Sequence, residues 1–157
     1  MGVICQGKLT VVNVGDSIAT LVRKDGSWTQ LNDEHTPMRI DERSRIMANG
    51  GSIIKNKVNI ELSVTRAFGN LKLSSVICAE PEGQTFSLTP SDEYLILSTD
   101  GLYRSFTQEQ VVRRVHELRS QNLSLGQVSE QILSECLETN GGHRPCNDNL
   151  TLLIIDL

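Results

Sequence analysis

Tyr94-Leu95-Ile96-Leu97-Ser98-Thr99-Asp100-Gly101 is a short, nearly continuous apolar run that ends in an acid and a glycine. A run this brief, bounded by a Thr-Asp-Gly turn, reads as a buried strand rather than a helix. It puts Asp100 at the strand's end, where a side chain emerges at a sheet rim and a backbone without Cβ can crowd a ligand.

Downstream, Thr107 with Gln110 forms a capping box before Val111, Val115 and Leu118 at i, i+4 and i+7. Ser124 with Gln127 repeats the device before Leu125, Val128, Ile132 and Cys136, so two amphipathic helices are expected. A loop over residues 141–146 leads to Asn147-Asp148-Asn149 and an apolar strand at 150–155. A second acid thus precedes a buried strand.

Upstream, strand-like segments at 3–5, 9–14 and 18–22, broken by Gly7 and Gly15-Asp16-Ser17, fit two short hairpins. Lys24-Asp25-Gly26-Ser27 is an Asp-Gly turn that leads into a strand at 28–31. Thr36-Pro37 offers an N-cap and a first-turn proline for a helix with Ile40, Ile46 and Met47, ending at Gly50-Gly51. Strands are expected at 52–54, 58–64 and 85–88, and residues 65–73, which lack a clear period, read as a loop or flap and a site candidate. Hairpin connections dominate over parallel crossovers, so the fold class is α+β with mainly antiparallel sheets.

The 157 residues fit one domain, and 38% hydrophobic with 22% charged residues is a soluble globular composition without an apolar run of membrane-spanning length. A net charge of -4 with scattered basic residues, the densest pair being Arg113-Arg114, leaves no footprint for nucleic acid. Cys5, Cys78, Cys136 and Cys146 form no C-x-x-C pair, which argues against a zinc ribbon. The opening Met1-Gly2-Val3-Ile4-Cys5 lacks the basic and long apolar regions of a signal peptide. Reduced thiols and an intracellular setting, cytoplasmic or nuclear, are expected, and the strand-like start suggests a C-terminal piece of a larger domain.

Asp16, Asp100 and Asp148 each stand at a strand-turn junction beside glycine or asparagine. Singly, such an aspartate most often caps local backbone amides. Together they form a set of oxygen donors of the kind Mg or Mn takes, and two such ions about 4 Å apart can activate a water and neutralise a phosphate.

The words around these acids carry a resemblance. Val12-Asn13-Val14-Gly15-Asp16-Ser17 resembles the segment NVGDSR of PP2C-type protein serine/threonine phosphatases, with Ile18 in place of the arginine. Glu42-Arg43-Ser44-Arg45-Ile46 with Gly50-Gly51 resembles E-x-x-R-I-x-x-x-G-G, and Leu62-Ser63-Val64-Thr65-Arg66-Ala67-Phe68-Gly69 is similar to LAVSRAFG. Ala79-Glu80-Pro81-Glu82 matches AEPE, residues 94–103 resemble FLILASDGLW, and Asp148-Asn149-Leu150-Thr151 resembles DNIT.

The resemblance implies an antiparallel β-sandwich flanked by helices, incomplete at the N-terminus, with residues 1–157 as the C-terminal part of one phosphatase domain. It implies hydrolysis of phosphoserine and phosphothreonine in phosphoproteins by a metal-activated water, with two Mg or Mn ions in the complete domain. It assigns metal ligation to Asp100 and Asp148 and a further metal position to Asp16. Arg66, just before a loop, offers either a phosphate contact or a brace for that loop through carboxylate or carbonyl bonds. The family's R-x-x-M-E-D and F-D-G-H-G-G words are not found here, Arg104 stands where the family commonly has an acid, and Asn70 replaces the acid of AFGD. These departures support an alternative, a pseudophosphatase acting as a binding or regulatory module. They also imply uncovered strand edges that self-association or pairing with an N-terminal segment would satisfy. His35 and His143 are expected at the surface, Cys146 as an unreactive loop thiol.

Overall fold

The computed structural model describes residues 1–138 and 146–157. In chain order the elements are β1 (Gly2–Cys5), β2 (Lys8–Asn13), β3 (Ile18–Arg23), β4 (Trp28–Gln30), α1 (Ile40–Ala48), β5 (Ile53–Ile54), β6 (Lys57–Val58), β7 (Glu82–Ser87), β8 (Asp92–Ser98), α2 (Gln108–Ser120), α3 (Leu125–Leu137) and β9 (Leu152–Asp156). They fall into two compact units, Met1–Ser17 with Asn32–Phe86, and Ile18–Leu31 with Ser87–Leu157.

In the first unit β1 and β2 pair antiparallel from Gly2↔Val11 to Cys5↔Lys8. Their link, Gln6-Gly7, has positive φ at both residues, 50° and 71°, the mirror-image turn whose twist matches a hairpin. The sheet order is β1-β2-β7. Strand β2 alternates exposed and buried positions, with Leu9, Val11 and Asn13 inward, the period of a strand with one covered face. A separate core gathers Ile46 of α1 with Val58, Leu73, Val76 and Ile77.

Two expected elements of this unit are corrected. The helix starts at Ile40 with extended Arg39 as N-cap, not at Pro37 with Thr36 as N-cap: residues 36–39 form a turn closed by the Arg39 N–H on the Thr36 carbonyl at 3.1 Å. Its buried face carries Glu42 and Ile46, whereas Ile40 and Met47 are exposed. The strand expected at 58–64 ends at Val58, because Asn59 and Ile60 take φ of 47° and 68° and fold Leu62 back onto Val58. Asn59 is held there by its own side chain, whose Oδ1 accepts the Ser52 N–H at 2.8 Å, so local polar bonding overrides the apolar pattern.

In the second unit the sheet order is β4-β3-β8-β9, antiparallel throughout. Central β8 pairs with β3 from Ile18↔Ser98 and with β9 from Ser98↔Leu152 to Tyr94↔Asp156. Being flanked on both sides explains its buried run at Tyr94, Leu95 and Ile96. Both capping boxes form: the Thr107 and Ser124 hydroxyls accept the N–H of Gln110 and Gln127, and each glutamine side chain returns the bond. The apolar stripes of α2 and α3 meet Ile96, Leu102, Phe106 and Ile154 in one core, with Val115, Val128, Ile132 and Cys136 fully buried. Among the described residues no helix is long and apolar enough to cross a membrane.

Candidate functional site

Antiparallel pairing carries the end of β8 past the start of β9, and this sets Asp100 beside Asp148. The junction is tied by the Thr151 N–H on Thr99 Oγ1 at 3.1 Å and by Thr99 Oγ1 on the Asn149 carbonyl at 3.3 Å. Gly101 permits the approach, since a Cβ there would lie 2.4 Å from the Asn149 carbonyl oxygen. The Cys146 thiol, buried in the same corner, donates to the Gly101 carbonyl at 3.1 Å.

Asp100 opens a short 3-10 turn, Asp100–Arg104, whose last residue reaches back over the pair. A single nitrogen, Arg104 Nη2, lies 3.0 Å from Asp100 Oδ2 and 2.7 Å from Asp148 Oδ2. The other Asp148 oxygen accepts the Asn149 N–H at 2.8 Å. The bond to Asp100, with the charges of both acids, raises the already high pKa of Arg104, so the guanidinium stays charged. Two carboxylates therefore converge on one cation-holding position.

Asp16 belongs to the other unit, in the link after β2. Its loop is held tightly: the Gly15 N–H donates to His35 Nδ1 at 3.0 Å, the His35 N–H to the Gly15 carbonyl at 2.9 Å, and Asn13 Nδ2 to that same carbonyl at 2.9 Å. His35 is fully buried, a correction to the surface position expected from sequence. With Nδ1 accepting, its proton sits on Nε2, 3.3 Å from Glu82 Oε2. Burial, with the Arg66 charge, lowers its pKa against the opposing pull of Glu82, so it is a neutral structural side chain. His143 lies outside the described residues.

Arg66, 9% exposed, spends its donors on protein acceptors: Nε and Nη2 on Glu42 Oε1 at 3.0 and 2.7 Å, Nη2 also on Glu82 Oε1 at 2.6 Å, and Nη1 on the Glu80 carbonyl at 2.9 Å. A phosphate contact would require it to release one of them. Glu42 also accepts Arg45 Nη2 at 2.8 Å and the Thr65 hydroxyl, while Arg39 forks onto Glu82 at 2.7 and 2.8 Å and bonds Asp41. Burial alone would raise the Glu42 carboxyl, but the bonds from Arg66, Arg45 and Thr65 outweigh it and hold the pKa at about 2.

Asp41, Glu42 and Glu82 offer oxygens within 4.8 Å of one another, a donor set compatible with a hard cation. Arg39, Arg45 and Arg66 already neutralise them. We read this cluster as a structural ion-pair network. Sequence reasoning passed over it, although the signal was present: the E-x-x-R word supplies Glu42 and Arg45, the T-R-A-F-G word Arg66, and A-E-P-E Glu82.

The family model for protein phosphatase 2C matches residues 2–144. The chain belongs to the protein phosphatase 2C family. Among its relatives, the probable protein phosphatase 2C 60 of Arabidopsis thaliana is 30% identical, over 99% of this chain and 46% of its own length. Protein phosphatase ppm-1.G of Caenorhabditis elegans is 35% identical, over 93% of this chain and 32% of its own. The chain thus spans less than half the length of these curated PP2C relatives. In structure it resembles a phosphatase from a pathogenic strain of Toxoplasma gondii, with TM-score 0.83 at 26% identity over 96% of this chain and 50% of that one. It also shares its fold with a C. elegans sex-determining protein, TM-score 0.85 at 23% identity, covering 96% of this chain and 37% of that one. The mixed helical and antiparallel-sheet fold expected from the sequence is therefore a partial PP2C domain.

Proposed function

We propose that this chain is the C-terminal portion of one PP2C-like domain, residues 1–157, whose complete form hydrolyses phosphoserine and phosphothreonine in phosphoproteins. The observation that carries the reading is the convergence of Asp100 and Asp148 on one cation-holding position. Hard carboxylate oxygens meeting at a sheet rim suit Mg or Mn, so the residues present fit the metal in donor chemistry and in direction. Divalent ions held there, two in the complete domain, would supply an activated water and neutralise charge on the transferring phosphate. Asp100 and Asp148 would hold one ion. A further metal position for Asp16 rests on its N-V-G-D-S word. Arg66 is assigned the bracing role that its bonds to Glu42, Glu82 and the Glu80 carbonyl support.

A second reading has its own observation: Arg104 already compensates the two acids, which favours a pseudophosphatase that binds partners without catalysis. An intracellular setting, cytoplasmic or nuclear, accompanies either reading, as does self-association or pairing with an N-terminal segment. The deciding experiment joins this chain to a PP2C N-terminal half carrying the R-x-x-M-E-D and F-D-G-H-G-G words. Mn-dependent phosphate release from a phosphothreonine peptide, lost in Asp100→Ala, is expected. A folded chimera that releases none would overturn the enzyme reading in favour of the binding module.

A further inference from the structure

We propose that Arg104 is a built-in counterion that closes the Asp100–Asp148 pair, so that a divalent cation binds there only by displacing the guanidinium. The inference rests on the reading of these two acids as metal ligands, but concerns what opposes the metal rather than what the metal does.

Geometry makes the competition direct. Arg104 Nη2 takes the Oδ2 atom of both aspartates, at 3.0 and 2.7 Å. On Asp148 the remaining oxygen is engaged by the Asn149 N–H. A Mg ion needs oxygens at about 2.0–2.1 Å in a near-octahedral shell. At Asp148 Oδ2 cation and guanidinium therefore compete for one oxygen, and a metal held between the two acids there would meet the Arg104 nitrogen. Charge acts in the same direction, because one guanidinium leaves the pair with a single net negative charge to attract the metal.

The arrangement is also reversible. The Arg104 side chain is 53% exposed and those of Asp100 and Asp148 are 39% and 35% exposed, so the arm can swing into water without opening the core. Exposed ion pairs are individually weak, so Arg104 should lower metal affinity by about tenfold rather than abolish binding. Its origin is local: Arg104 closes the five-residue 3-10 segment that Asp100 opens, four residues on, and its side chain reaches back to the acid.

The test is Mn binding by the 157-residue chain, read by the electron paramagnetic resonance of free Mn, with folding checked by circular dichroism. Four proteins are compared: wild type, Arg104→Gln, Arg104→Gln with Asp100→Asn, and Arg113→Gln as a charge-matched control on α2, where Arg113 is 65% exposed. Arg104→Gln should bind Mn about tenfold more tightly than wild type, the double variant should lose that gain, and Arg113→Gln should match wild type. Equal affinity of Arg104→Gln and wild type overturns the proposal, as does a gain that survives Asp100→Asn or appears equally in Arg113→Gln. If Arg104→Gln disturbs the fold, Arg104→Met replaces it, and a methionine variant binding Mn no tighter than wild type also overturns it. Phosphate release by the chimera is independent: an inactive chimera whose Arg104→Gln form still gains Mn affinity would sink the enzyme reading and leave this inference standing.

Discussion

Replacing Glu42 with Gln removes the charge at the centre of the buried ion-pair network while keeping the side chain's shape. Glu42 is 1% exposed and receives Arg66 through two nitrogens, Arg45 and the Thr65 hydroxyl. Its pKa of about 2, against the ordinary glutamate value of 4.5, converts at about 1.4 kcal/mol per pH unit into roughly 3 kcal/mol. An independent gauge agrees: leaving one partner of a buried pair unmatched costs about 3–5 kcal/mol, and Arg66 keeps Glu82, which favours the lower end. For a protein of this size the loss corresponds to a fall of about 6–12 °C in Tm. The sign with pH follows from the depressed pKa. The Glu42 contribution is complete above pH 4.5 and disappears as pH falls toward 2, so the wild-type advantage over Glu42→Gln should shrink across that window. Urea unfolding of both proteins at a series of pH values from 2.5 to 7, followed by circular dichroism, measures it, roughly half a pH unit apart. A difference below about 1 kcal/mol at pH 7, or one that stays constant as pH falls, would refute the reasoning.

Three further outcomes are expected. Gly101→Ala should lower stability by about 1–3 kcal/mol in urea unfolding and weaken Mn binding, because its Cβ would meet the Asn149 carbonyl oxygen at 2.4 Å and push the Asp100 turn from the Asp148 segment. Thr107→Ala removes the hydroxyl that caps α2 at the Gln110 N–H and should cost about 1 kcal/mol, seen as a Tm lower by about 2–4 °C. Burial, with Cys146 and Glu135 adding to it, pushes the Cys136 thiol up to about 11, so an aromatic disulfide reagent at neutral pH should label exposed Cys5 quickly and Cys136 only on unfolding, as peptide mapping would report.

The parts legible in the sequence were those whose information is local. Both capping boxes, at Thr107 with Gln110 and Ser124 with Gln127, formed as the residue types require, and the stripes of α2 and α3 faced the core. The apolar run at 94–98 became the central strand and put Asp100 at its end. Less legible were places where a polar side chain found a partner from another segment. Asn59 turned the chain back on Ser52 where alternation suggested a strand, and His35 was drawn inside by the Gly15 backbone.

From the sequence alone came the family, the fold class and the placement of Asp100 and Asp148 beside buried strands, because short motifs, turn chemistry and apolar periodicity act within a few residues and survive without knowledge of the fold. Tertiary structure alone decided which charges meet. Glu42 is buried because Arg45 and Arg66 reach it, and Asp100 joins Asp148 on one Arg104 nitrogen because β8 and β9 are neighbours in the sheet. Coulombic and hydrogen-bonding energies depend on distance in space and on exclusion of water, and residues far apart in the chain acquire both only when packing brings them together.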